Sequence, residues 1–125
     1  MSRLILAGSG SKKLATGISQ KMGLEVDHSR IVHFINSEMK VRLPESVKDK
    51  GEVIIIQSTS NPANDNLMEV CLLADTLRIE GVNTVKAIIP YFGYARQDKQ
   101  HLPRECVSVS LISKLLAGSG VDSVI

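Results

Sequence analysis

The chain has 125 residues, 43% apolar and 22% charged, with a net charge of +2, the profile of one globular domain able to bury its own core. That charge is too small and too dispersed for a nucleic-acid footprint. No apolar run spans a membrane or forms a signal-peptide core, so the cytosol is the default compartment. The two cysteines, Cys71 and Cys106, show no metal-ligand spacing, and Cys71 sits in an apolar helical run that suits a reduced thiol.

Leu4 to Ala7 reads as a short buried strand ended by Gly8-Ser9-Gly10. Ser11 is placed to cap a helix with Leu14, Ile18 and Met22 as its apolar stripe and Gly23 as its stop. The glycine turn invites a dinucleotide-binding reading, but the third glycine and the acidic residue of that motif are missing. A plain strand-to-helix turn is the better expectation.

Glu25 to Leu43 is strand-like. Glu38 to Leu43 alternates polar and apolar residues as a half-exposed antiparallel strand should. Phe34-Ile35-Asn36-Ser37-Glu38 is the turn feeding it, so Ile31 to Leu43 is expected to form a hairpin or flap outside a parallel core. On pattern alone, Phe34 is a core anchor.

A polar connection, Pro44 to Gly51, leads to Val53-Ile54-Ile55-Ile56, a β-branched run typical of a strand covered on both faces. Gln57 to Pro62 is a loop of small hydrogen-bonding residues. Asn64 or Asp65 is expected to cap a long helix to Glu80, with Leu67, Val70, Cys71, Ala74 and Leu77 on one side and Gly81 at its end. Asp65 and Glu69 suit the positive end of its dipole.

Val85 to Ile89 is the next strand, and Pro90 ends it. Three of the four aromatic residues, Tyr91, Phe92 and Tyr94, follow within four positions, then Arg96-Gln97-Asp98-Lys99-Gln100-His101. Such a loop is either a ligand site at the carboxyl end of a parallel sheet or an apolar plug followed by a solvated turn. Val107 to Ala117 reads as a third helix with Leu111, Ile112, Leu115 and Leu116 on its apolar face. Val121 to Ile125 starts another strand. Alternation of strand and helix predicts an α/β fold, a three-layer parallel sheet flanked by helices, with a small β flap. The sequence stops inside this last strand pattern with no polar tail, which reads as one domain of a longer protein.

The words Val53 to Ser60, Asn64 to Glu69 and above all Ile89-Pro-Tyr-Phe-Gly-Tyr-Ala-Arg-Gln-Asp-Lys99 resemble the N-terminal domain of ribose-phosphate pyrophosphokinase, over nearly the whole chain. The resemblance implies a phosphoribosyltransferase type I architecture. It implies an ATP-side domain, residues 1–125, of a two-domain homo-oligomeric transferase, dimer-based up to hexamer. That enzyme moves the diphosphoryl group of Mg-ATP to ribose 5-phosphate. The ribose-5-phosphate domain, the catalytic residues and the ligands of Mg²⁺ are expected beyond residue 125, so the isolated chain is expected to be inactive.

The same resemblance assigns ATP contacts to the flap residues Phe34, Asn36, Ser37 and Glu38, with Phe34 stacking on the base and the flap reaching a neighbouring subunit. It assigns further ATP contacts to Arg96, Gln97, Asp98, Lys99 and His101, Arg96 toward the triphosphate and Gln97 toward the nucleoside. An aromatic face binds a purine, a carboxylate accepts from an exocyclic amine, and a guanidinium grips phosphate oxygens. Ser46, Lys48, Arg104 and Ser108 match a regulatory phosphate or ADP site of some members.

Three positions depart from the family pattern. His101 stands where an acid is usual, and Cys106 and Ser110 replace a proline and a lysine. These motivate an alternative, a non-catalytic regulatory or associated homologue. A third reading, an unrelated α/β module, would use the Gly8-Ser9-Gly10 turn.

Overall fold

A computed structural model describes residues 2–125. Five parallel strands form the central sheet in the order β2-β1-β5-β6-β7. They are β1 (Arg3–Ala7), β2 (Glu25–His28), β5 (Glu52–Ile56), β6 (Thr84–Ile88) and β7 (Ser123–Val124). Two strands, β3 (Arg30–His33) and β4 (Met39–Arg42), pair antiparallel as a separate hairpin. The helices are α1 (Lys12–Met22), α2 (Ala63–Ile79) and α3 (Ser108–Gly118). This is the expected three-layer α/β sheet with its flap.

Side chains of the central strands alternate between two apolar layers. Leu4, Leu6, Val53, Ile55, Val85 and Ala87 pack beneath α2 and α3, against Leu73, Leu77, Ile112 and Leu116. Ile5, Ala7, Ile54 and Ile56 pack on the other face against Ala15 of α1, with Ile18 and Val26 partly buried beside them. Burial on both faces is why β5 reads as a continuous β-branched run. Glu52 opens that strand almost fully buried, between Arg3 Nε at 2.9 Å and Lys86 Nζ at 3.0 Å. Two cations on the flanking strands offset the cost of burying its charge.

Several local expectations are corrected. Glu25–His28, read only as part of a strand-like stretch, is a parallel edge strand hydrogen-bonded to β1. Only Val26 and Asp27 of its four residues are half-buried, so no continuous apolar run announces it. On α1 the buried residues are Ala15 and Ser19. Leu14 and Met22 are 43% and 50% exposed. Small residues let the helix lie close to the sheet, and the large ones flank the contact.

The Ser11 hydroxyl does not cap α1 but accepts the Ser58 N–H at 3.0 Å, tying the β1 and β5 loops together. Helix α2 starts at Ala63 with Pro62 as its N-cap and no side-chain cap. Asn64 and Asp65 therefore lie inside its first turn. On α3, Leu111 and Leu115 are exposed while Ile112 and Leu116 are buried, so only part of its predicted apolar face meets the sheet.

Candidate site at the carboxyl ends of three strands

The loops after β1, β5 and β6, the three inner strands, meet at the carboxyl end of the sheet, where a parallel sheet places ligands. Their backbones are stitched together. Gly8 N–H donates to the Ile56 carbonyl at 2.8 Å, Gln57 N–H to the Ile88 carbonyl at 3.0 Å, and Thr59 N–H to the Tyr91 carbonyl at 2.9 Å. The Thr59 hydroxyl also donates to the Tyr91 carbonyl, at 2.9 Å, and accepts the Gly93 N–H at 2.7 Å. A Cβ at Gly93 would stand 2.7 Å from the Thr59 carbonyl oxygen, so this crossing needs glycine.

Beneath this end of the sheet lies a buried polar layer. Gln57, with no exposed surface, accepts the Gly10 N–H at 3.1 Å and donates to Asn66 Oδ1 at 3.2 Å. Glu69, 1% exposed, accepts both the N–H and the hydroxyl of Ser9. The Gly8-Ser9-Gly10 donors are thus satisfied inside the protein. A fixed carboxylate beside them opposes an anion, so the turn is a strand-to-helix connection and not a phosphate cradle. Glu69, near the amino end of α2 where a carboxylate suits the helix dipole, faces inward, on the side of α2 that carries Val70 and Leu73. Its one sequence signal is an acid within an otherwise apolar helical stripe.

Tyr94 takes a left-handed backbone with φ of 70°. Its hydroxyl bonds Asn64 Oδ1 of α2. A bulky residue in that region carries backbone strain and is held there by its surroundings. It helps line a cavity of about 300 Å³ with Thr59, Ser60, Asn61, Tyr91, Gly93 and Gln97. Gln97 is the predicted site residue that this cavity contains. Its side-chain oxygen accepts the Ser108 hydroxyl of α3.

Arg96, Gln97, Asp98, Lys99 and His101 are all exposed. Glu105 organises the turn beyond them, accepting the Leu102 N–H at 2.6 Å on its carboxylate and Gln100 Nε2 at 2.9 Å on its carbonyl. Arg104 there has φ of 70°.

The flap residues are placed elsewhere. Phe34 is half exposed and Ile35 fully exposed at the hairpin tip, so Phe34 is not the core anchor that pattern alone suggested. Asn36 Nδ2 donates to Glu38 Oε2 at 2.5 Å, and the Glu38 N–H donates to Asn36 Oδ1 at 3.2 Å. Ser37 between them has φ of 74°. Asn36, Ser37 and Glu38 line a second cavity, about 430 Å³, against Asn64, Asp65, Met68 and Leu72 of α2. The flap triad and Gln97 therefore border different cavities within one chain.

The regulatory set is also divided. The Ser46 hydroxyl donates to Asp27 Oδ2 at 2.7 Å, while Lys48 is exposed and lines a cavity of about 310 Å³ beside Pro44 and Glu80. Ser108 is buried at the start of α3 and engaged with Gln97, and Arg104 is exposed. Among the described residues no group of three or more histidine, cysteine or acidic side chains is placed to hold a metal ion. No helix of the described chain is long and apolar enough to cross a membrane.

Residues 3–120 match the family model described as the N-terminal domain of ribose phosphate pyrophosphokinase. A ribose-phosphate pyrophosphokinase of Campylobacter jejuni is 42% identical over 120 residues, covering 96% of this chain and 38% of that protein. One from Fusobacterium nucleatum is 38% identical over 121 residues, covering 97% and 38%. The crystal structure of phosphoribosylpyrophosphate synthetase from Mycobacterium smegmatis superposes with a TM-score of 0.92 at 32% identity, over 99% of this chain and 41% of that one. The chain thus spans well under half the length of these relatives. With the family model covering nearly every strand and helix described above, the chain belongs to the family of ribose-phosphate pyrophosphokinase N-terminal domains.

Proposed function

We propose that this domain is the ATP-binding half of a ribose-phosphate diphosphokinase. In that reaction the anomeric hydroxyl of ribose 5-phosphate attacks the β-phosphorus of ATP. The bond from that phosphorus to the α,β-bridging oxygen breaks, and AMP leaves, giving 5-phosphoribosyl 1-diphosphate. The observation that carries the proposal is the family match from residue 3 to residue 120, joined to a cavity at the carboxyl end of the sheet containing Gln97.

In this reading Arg96 and Lys99 project from an exposed loop with no side-chain partner among the described residues, available to triphosphate oxygens. Asp98 and His101 frame the same loop. Phe34 supplies a half-exposed aromatic face for adenine, with Asn36, Ser37 and Glu38 beside it. The flap borders one cavity and Gln97 another; in the proposed assembly the flap of one copy would reach a nucleotide held at Gln97 of a neighbouring copy. The assembly we propose is a homo-oligomer, dimer-based up to hexamer, in the cytoplasm.

Such transfers are chiefly positioning and charge neutralisation. Mg²⁺ would enter with ATP and offset phosphate charge. Among the described residues no histidine, cysteine or acidic cluster is placed to hold a resident metal ion. Ribose 5-phosphate would be held by a second domain. Ser46, Lys48, Arg104 and Ser108 belong to the proposal only as a regulatory phosphate site assembled across subunits.

The test is a coupled assay for AMP release from ATP and ribose 5-phosphate, using a polypeptide that joins this domain to the C-terminal part its relatives possess. Turnover supports the reading. Its absence in a folded, oligomeric protein would favour the second reading, a non-catalytic associated homologue. That alternative rests on His101, Cys106 and Ser110, which replace an acid, a proline and a lysine of the family pattern.

A further inference from the structure

Gln97 is held by the start of α3 through both its main chain and its side chain. The Val109 N–H donates to the Gln97 carbonyl at 3.3 Å, and the Gln97 N–H donates to the Tyr94 carbonyl at 2.9 Å. The Ser108 hydroxyl donates to Gln97 Oε1. Ser108 is 9% exposed, and Cys106 Sγ approaches its oxygen at 3.3 Å. The chain between residues 97 and 108 forms no helix or strand, so these contacts locate Gln97 relative to the rigid part of the fold.

A glutamine carboxamide presents one acceptor oxygen and two N–H donors. With Ser108 holding one lone pair of the oxygen, the amide nitrogen carries the free N–H donors that can meet a ligand in the cavity shared with Thr59, Asn61 and Tyr94. We infer that Ser108 is a positioning residue: it fixes the Gln97 carboxamide so that donors face the nucleotide, and this corner of the site selects a hydrogen-bond acceptor such as a purine ring nitrogen or a ribose oxygen. The inference rests on the nucleotide-site reading of Gln97 and adds to it a source of specificity. It also gives Ser108 a task other than phosphate binding. An anion that took the Ser108 hydroxyl would release the Gln97 carboxamide.

The experiment titrates Mg-ATP into the assembled longer polypeptide that joins this domain to the C-terminal part its relatives possess, selectively ¹⁵N-labelled at glutamine, and follows the Gln97 side-chain amide by NMR. Ser108→Ala should raise the apparent Kd roughly 2- to 10-fold, the range for one net hydrogen bond. Ser108→Thr keeps the hydroxyl and should stay within about 2-fold of the parent. In a Gln97→Ala background, Ser108→Ala should add nothing, because its effect passes through the carboxamide. Gln97→Glu keeps an acceptor for Ser108 and lacks the donors, so it should weaken ATP binding while the chain remains folded.

An unchanged Kd in Ser108→Ala would overturn the inference, and so would additive effects of the Ser108 and Gln97 substitutions. In either case the nucleotide reading of Gln97 survives if Gln97→Ala alone weakens binding. If ATP shifts no Gln97 signal and Gln97→Ala binds like the parent, the nucleotide reading fails and the inference goes with it. If Ser108→Ala does not fold, Ser108→Thr and Gln97→Glu decide: weak binding by Thr or parental binding by Glu overturns it.

Discussion

Glu69, on the second turn of α2, reaches across to the loop after β1 and takes both donors of Ser9, the N–H at 2.7 Å and the hydroxyl at 2.5 Å. The pair joins helix α2 to the loop after β1, across 60 positions in sequence. It also explains why a glycine turn that resembles part of a phosphate-binding motif is occupied from within. Removing the carboxylate would leave the Ser9 donors facing a small void. Glu69→Ala should therefore destabilise the fold by roughly 2–4 kcal/mol, read as a lower urea midpoint with little change in slope. Glu69→Gln should cost less, since one acceptor oxygen remains. A Glu69→Ala chain as stable as the parent would show that the contact contributes nothing.

Glycines divide sharply by surroundings. A Cβ at Gly8 would stand 2.2 Å from Gln57 Oε1 and 2.6 Å from Gln57 Cβ. Gln57 is fully buried and cannot retreat. Gly8→Ala should cost at least about 2 kcal/mol by overpacking. Gly17, inside α1, has nothing within 4 Å of an added Cβ, so Gly17→Ala should stabilise by roughly 0.5–1 kcal/mol. Thermal melts of the two variants side by side should move in opposite directions.

Asp122 ties the loop before β7 to the start of β6. Its carboxylate accepts the Val85 N–H at 2.9 Å and pairs with Arg78 Nη2. The Val85 hydrogen bond first, then Arg78, holds its pKa below the ordinary carboxylate range, with partial burial acting the other way. A carboxyl whose folded pKa is lowered adds stability that is fully present above the unfolded value. That stability is lost as pH falls through the folded value. The parent should thus lose stability faster than Asp122→Asn below about pH 4, while above that the substitution should be the less stable. Parallel acid-denaturation curves for the two chains would reveal any absence of this convergence.

Arg96 is exposed and makes no side-chain hydrogen bond or ion pair among the described residues, so Arg96→Ala should leave the melting temperature within about 2 °C. In a catalytically competent longer polypeptide the same change should lower kcat/KM for ATP by some 2–4 kcal/mol, the effect of losing one charge-stabilising donor. Phe34→Ala, half exposed at the flap, should cost roughly 1–3 kcal/mol of ATP binding through lost stacking, and only in the assembled oligomer. Parental ATP kinetics in Arg96→Ala would remove that residue from the proposed site.

The order of the elements was legible in one dimension. Val53 to Ile56 announces a buried strand because a backbone covered on both faces tolerates only apolar side chains, and the alternation from Glu38 to Leu43 announces a one-sided hairpin for the converse reason. The block from Pro90 to Lys99 identified the family because its residue identities, more than its periodicity, are distinctive.

Other features became visible only once the chain was folded. Whether Leu14 or Ala15 faces the sheet depends on how closely α1 can approach it, which helical spacing alone does not resolve. That Glu25–His28 pairs in parallel with β1 depends on a backbone ladder to which its mixed side chains give no clue. The Glu69–Ser9 and Ser108–Gln97 contacts join residues 60 and 11 positions apart, and a polar residue carries no sequence mark of the partner that will satisfy it. Local pattern determined which segments are strand, helix and loop, because that follows from the burial period of neighbouring residues. Tertiary packing decided which polar groups bury one another and which remain at the surface, because only the closed fold excludes water from one set and leaves the other exposed.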